Sequence, residues 1–169
     1  MNSIVKRCSV AVVLMLAAAL PSYTSLQVSE EGLRLIADFE GCQLSPYQCS
    51  AGVWTSGIGH TQGVSPAAQI TEAQAASNLV DDVLRTEKAI NKCIAVSMPQ
   101  PVYDAVVSFA FNVGTGAACS STMAFFLKRQ QWAKACEQLP RWVFVNGVRL
   151  AGLERRRLGE MKHCLKGAA

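Results

Sequence analysis

The run Glu40–Thr55, EGCQLSPYQCSAGVWT, ends one kind of structure and begins another. Upstream of it Leu33, Ile36, Ala37 and Glu40 recur at three- and four-residue spacing, which places them on one face of a helix. Ser29-Glu30-Glu31 supplies that helix's start, a capping side chain followed by acids in the first turn. Gly41 stops it. Glu40 therefore stands at the carbonyl end of the helix dipole beside apolar neighbours, and both influences disfavour a negative charge there. That is the setting a general acid needs; a solvated last-turn glutamate is the alternative. Cys49 follows nine residues later and Thr55 six after that, and the Gly-rich run SGIGHTQG (56–63) closes the stretch. One acid, one thiol and one hydroxyl thus share a turn-rich loop. Val53-Trp54-Thr55 and Ile58 are its strand candidates, and a small β-hairpin sheet fits.

Further along, Thr71-Glu72-Ala73-Gln74 is a capping box that opens a helix to about Asn91, with Leu79, Val80, Val83, Leu84 and Ile90 as its core stripe. Pro99 and Pro101 start the next helix, which runs through Phe109 and Phe111 to Val113. It is apolar nearly all round, so it belongs at the centre of the fold. Gly114 and Gly116 are read as its end. Short helices are expected near 121–129 and 131–139, a tight turn at Asn146-Gly147, and a last helix after Gly152. Its Arg155-Arg156-Arg157 cluster reads as a solvated face with internal ion pairs, and His163 as a surface residue. Core packing is the default for Trp54, Trp132 and Trp142.

The chain has 169 residues, enough for one compact domain with a real core. Half of them are hydrophobic and 17% charged, which excludes disorder. A net charge of +4 suits either ordinary solubility or a polyanionic surface such as cell wall or lipid headgroups, and is too mild and scattered for nucleic acid. Seven cysteines (8, 42, 49, 93, 119, 136 and 164) point to an oxidising compartment. The odd count leaves at least one thiol unpaired or exchanging partners. No CxxC pair occurs and His60 and His163 are the only histidines, so neither a metal nor another cofactor is expected.

Lys6 and Arg7 precede SVAVVLMLAAAL (9–20), the pattern of an export signal. Two outcomes compete. Ala17 and Ala19 fit a cleavage site; alternatively the segment stays as an anchor. No charge occurs from Cys8 to Ser29, 22 residues, nominally long enough for a bilayer. The second half, PSYTSLQVS, is polar and begins with proline, so insertion would be marginal and reversible. The positive end should stay cytoplasmic. On the second outcome the chain divides into a signal-anchor, 1–28, and a folded domain, 29–169.

The frame Glu40, nine residues, Cys49, six residues, Thr55, then GIGHT (57–61) resembles the T-even phage lysozyme family of endolysins. FAFNVGTG (109–116), Arg141-Trp142 and NGVRLAGLERRRLGE (146–160) resemble that family's C-terminal half, and the likeness runs in order over roughly residues 29 to 165. The resemblance implies an α+β, mostly helical, lysozyme-like fold: a small N-terminal β-hairpin lobe, a long linking helix and a helical C-terminal lobe. It implies hydrolysis of the β-1,4 bond between N-acetylmuramic acid and N-acetylglucosamine in peptidoglycan by a monomer. Its acid–carboxylate–threonine triad falls on Glu40, Cys49 and Thr55. One group must protonate the leaving oxygen and another must stabilise the cationic sugar or activate water on the opposite face. Glu40 takes the first role, and Thr55 can hold the water. Cys49 departs from the family's usual aspartate. A thiol is a poorer anion, with an ordinary pKa of about 8.5, so nucleophile, weak base, water-positioner and plain disulfide partner all stand open for it. Asn112 is a substrate-cleft candidate; His60 is either another or a structural hydrogen bond at a turn.

A group of phage endolysins carries weak signal-anchors, some with a cysteine in them, and likeness to these implies a thiol switch. A Cys42–Cys49 bridge would block the site until membrane release lets Cys8 displace Cys49 and bond Cys42. The remaining four would pair as Cys93–Cys119 and Cys136–Cys164, a connectivity that counting alone leaves open. On this reading residues 8–26 hold the exported protein, inactive, at the inner membrane before it acts in the periplasm. A constitutively active secreted lysozyme and a non-catalytic wall-binding protein on the same scaffold are the rivals.

Overall fold

The structure, a computed structural model, describes residues 6–49 and 51–169, so the first five residues of the export segment and Ser50 lie outside it. The chain forms two compact units, Met1–Leu26 with Ala37–Leu84, and Gln27–Ile36 with Arg85–Ala169.

In the first unit the chain enters extended, with Arg7 bridged antiparallel to Gln43. Leu44 N–H donates to Lys6 O at 2.8 Å and Cys8 N–H to Cys42 O at 3.3 Å. Helix α1, Val10–Ala18, follows, capped by Ser9, whose side chain accepts from Val12 N–H. Its Val13 and Ala17 are fully buried, whereas Met15 is 68% exposed. The helix ends where Pro21 opens a 3-10 turn over Pro21–Ser25. The charge-free stretch is therefore not one long helix, and among the described residues no helix is long and apolar enough to cross a membrane.

Helix α2, Glu30–Glu40, leads to strands β1, Gln43–Gln48, and β2, Trp54–Gly57. β2 overlaps the expected strand, although Ile58 falls just past it; β1 was not expected. Pro46 hides β1 from a pattern search, because proline cannot donate to a ladder and sits at edges or bulges. The register shows such an irregularity: Gln43 pairs with Gly57 and Tyr47 with Thr55, so β1 takes four steps where β2 takes two. Helix α3, Glu72–Cys93, opens on the reciprocal cap that its sequence promised. Gln74 N–H donates to Thr71 Oγ1 at 3.1 Å and Thr71 N–H to Gln74 Oε1 at 2.9 Å.

The second unit is helical: α4 Gln100–Val113, α5 Thr115–Cys119, α6 Thr122–Leu127, α7 Trp132–Cys136 and α8 Ala151–Leu165, with a short hairpin of β3 Phe144–Val145 and β4 Val148–Arg149. Every residue of α4 from Val102 to Ala110 is buried, as its all-round apolarity requires. Its core partners include Ile90, Met123, Leu127 and Leu139. Phe109 meets Trp142 edge-on at 5.1 Å. Asn146 and Gly147 both take positive φ, 49° and 77°, the conformation a two-residue hairpin turn needs. Gly114, at φ 92°, ends α4, but Gly116 lies inside α5 rather than ending anything.

Two further expectations are corrected here. The internal ion pairs expected of the Arg155–Arg157 cluster form, but the solvated face does not: Arg156 and Arg157 are buried, and only Arg155 of the three is exposed. Arg156 Nε donates to Glu160 Oε1 at 2.9 Å and Arg157 Nη1 to Glu160 Oε2, while Ser108 Oγ donates to Glu160 Oε1 at 2.7 Å. Spacings of three and four residues stack these charges on one helical face, and the full set of bonds makes their burial tolerable. His163, expected at the surface, is also buried, with Nε2 3.1 Å from Asp104 Oδ2. Asp104 draws it in: the same carboxylate accepts from Ser29 N–H at 2.8 Å and from Gln100 Nε2 at 2.8 Å.

Candidate active site

Glu40 is the last residue of α2 and is half-buried. Gly41 takes φ 68° and returns its N–H to Ala37 O at 3.0 Å, which turns the chain directly into β1. The hairpin continues past β1: Cys49 N–H donates to Val53 O at 3.0 Å and Gly52 N–H to Cys49 O at 2.8 Å. Side chains alternate along a strand. Tyr47 and Cys49 therefore share one hairpin face, and Thr55, paired with Tyr47, lies on the same face.

Cys49 is the free cysteine of the described residues and is partly exposed. The N–H groups of Ala51 and then Val53 hold its thiol below the ordinary cysteine range; slight burial opposes them, and the Thr55 hydroxyl adds to the lowering. Thr55, itself buried, donates from Oγ1 to Val53 O at 3.1 Å. Burial, then the charges of Glu40 and Cys49, push the Tyr47 phenol up. The acid and the thiol thus lie within electrostatic reach of one ring.

Cys8 is bonded to Cys42, with Cα atoms 5.2 Å apart. Cys93 is bonded to Cys119 and Cys136 to Cys164. His60 is committed locally: Ser56 and His60 exchange backbone bonds at 2.9 and 3.0 Å, and His60 Nδ1 meets Asp82 Oδ2 at 2.7 Å. Asn112 belongs to the other unit, where its Oδ1 accepts from Arg157 Nη2. Sequence reasoning passed over Tyr47, whose place opposite Thr55 depends on the irregularity in β1. It also passed over Asp82, one of several acids on a helix with no local sign of a partner 22 residues away. Among the described residues no cluster of His, Cys, Asp or Glu is arranged to hold a metal.

The phage lysozyme family profile matches residues 37–160. The SAR-endolysin of Escherichia phage P1 is 36% identical over 159 residues, covering 85% of this chain and 84% of that one. Among solved structures, the active form of P1 phage endolysin Lyz superposes with a TM-score of 0.85 at 32% identity, covering 97% of each chain. The secreted inactive form of that endolysin gives 0.60 at 34% identity, covering 85% of this chain and 98% of that one. Because the matched span contains both the Glu40–Cys49–Thr55 loop and the buried arginine–glutamate cluster of α8, the chain belongs to the phage lysozyme family and is a lysozyme-type glycoside hydrolase.

Proposed function

We propose that this protein is an exported phage endolysin, a muramidase held inactive at the inner membrane by its first 28 residues and switched on by disulfide exchange after release. Residues 29–169 are the catalytic domain. In the tethered form Cys49 is bonded to Cys42. On release the Cys8 thiolate attacks the Cys42 sulfur, the Cys42–Cys49 bond breaks, and Cys49 leaves as the thiolate. The observation that carries this reading is the Cys8–Cys42 bond with Cys49 free beside Thr55. Two others support it. Val13 and Ala17 of the export segment are fully buried, which favours its retention over cleavage. The likeness to the active form of P1 endolysin exceeds that to its inactive form, at TM-scores of 0.85 and 0.60.

In the switched-on enzyme Glu40 gives its proton to the glycosidic oxygen as the C–O bond breaks. Water held by Thr55 adds to the anomeric carbon and passes a proton to the Cys49 thiolate. The N–H groups of Ala51 and Val53 favour that thiolate, which compensates for a thiol's weakness as an anion at neutral pH.

Glu40→Gln should abolish lysis of permeabilised Gram-negative cells with an unchanged melting temperature; retained lysis rejects the catalytic assignment. Cys8→Ser should be exported and stay inactive until a reductant opens the Cys42–Cys49 bridge. A Cys8→Ser protein that lyses cells without reductant rejects the switch.

A further inference from the structure

We propose that Tyr47 orients the substrate in this site, its phenol donating a hydrogen bond to the sugar that lies between Glu40 and Cys49. The assignment rests on the active-site reading above and adds a residue to it. Three observations meet at this side chain. The irregular register of β1 sets Tyr47 directly opposite Thr55, on the hairpin face that carries Cys49. Bulges of this kind re-aim side chains next to active sites. Among the described residues the phenol has no hydrogen-bond partner within the protein and the residue is half-buried, so the hydroxyl is left to bond something else. Burial and the negative charges of Glu40 and Cys49 both oppose loss of its proton. A group at this place must not add a negative charge between an acid that has to deliver a proton and a thiolate that has to collect one. A phenol that keeps its proton through the working pH range meets that demand and still offers a donor to a sugar hydroxyl or N-acetyl oxygen.

The bland alternative is a tyrosine that only packs the hairpin. Tyr47→Phe separates the two, because it keeps the ring and removes one oxygen. The full-length released protein and its Tyr47→Phe and Glu40→Gln variants are assayed on soluble peptidoglycan fragments. Rates are taken about ten degrees below the lowest melting temperature of the set, so that a less stable variant is still compared folded. Tyr47→Phe should lower kcat/KM by roughly tenfold, the size expected for one neutral hydrogen bond lost at the transition state. The pH dependence of Cys49 alkylation by iodoacetamide should not change. Wild-type kcat/KM in Tyr47→Phe, with Glu40→Gln inactive, overturns the proposal and leaves the active-site reading standing. A loss of activity accompanied by a shifted alkylation profile also overturns it, since the phenol would then act on the sulfur and not on the sugar. Full activity in Glu40→Gln overturns the active-site reading and this assignment together.

Discussion

At the scale of single residues, the proposed site turns on how a thiol is made acidic. Hydrogen bonds to the sulfur from Ala51, Val53 and Thr55 favour the thiolate, and each lowers the Cys49 pKa. The rate of Cys49 alkylation should therefore level off at a lower pH than it does for an unperturbed cysteine. Lytic activity should fall as the pH drops through the same transition. Thr55→Ala removes one donor and should move that transition upward while cutting activity, which a paired alkylation and turbidity series would measure. The same shift carries a stability consequence of fixed sign. A depressed folded-state pKa contributes stability that is present above the unfolded thiol's value and is lost as pH falls through the folded value. Sequence could single out Glu40, Cys49 and Thr55 as the proposed triad because fixed spacings around a glycine stop need no knowledge of the rest of the fold. Tyr47 was illegible for the opposite reason: its partner is set by pairing across the hairpin. His163 and the Arg156–Arg157 pair misled because charge predicts exposure only when no buried counter-group waits, and Asp104 and Glu160 were waiting.

Among the elements, helix ends and glycines were the most readable features. The Thr71–Gln74 cap, the Gly41 stop and the Asn146-Gly147 turn each follow from local chemistry. Strand β1 was not readable, because a proline and a register change erase the alternation that marks a strand. Gly32 in α2 has a reason that only the packing reveals. A Cβ there would lie 2.5 Å from the Asp104 carboxyl carbon. That carboxylate is pinned by Ser29, Gln100 and His163 and has little room to yield. Gly32→Ala should therefore destabilise the protein by about 1–3 kcal/mol, the usual cost of overpacking, read as a lower midpoint in urea. Glu87 of α3 offers a pH test. Its Oε1 accepts from Gln27 N–H at 2.9 Å and Val28 N–H at 2.7 Å, yet burial outweighs those bonds and pushes its carboxyl up. A raised folded-state pKa gives stability that is fully present below the unfolded glutamate's value and is lost as pH rises through the folded one. Measured against Glu87→Gln, the wild-type melting temperature should gain as the solution is acidified and lose ground toward neutrality.

For the whole molecule, the order of helices and the α+β class were legible because periodicity and punctuation recur over long stretches. The state of residues 8–26 was not, since an apolar helix satisfies a bilayer and a protein core equally well. The bonds Cys93–Cys119 and Cys136–Cys164 close loops 26 and 28 residues apart. Chain-entropy arguments value each at roughly 3–4 kcal/mol. Replacing Cys93 and Cys119 together by alanine should lower the unfolding free energy by about that amount, seen as a fall in the denaturant midpoint, and leave Cys49 as reactive as before.

The pairing of residues 6–8 with 42–44 has a mechanical corollary. Nine helical residues cover roughly 14 Å, less than half the thickness of a hydrocarbon core of about 30 Å, and the stretch beyond them is broken at Pro21. With Cys8 stapled to Cys42, the segment has been shortened, kinked and tied down at its leading end. If the segment is the proposed membrane tether, its return to a bilayer would require breaking a covalent bond and re-extending the helix at once. On the release proposed above, escape would work as a ratchet, and a non-reducing gel that counts Cys8–Cys42 linkages would act as a clock of how many molecules had left.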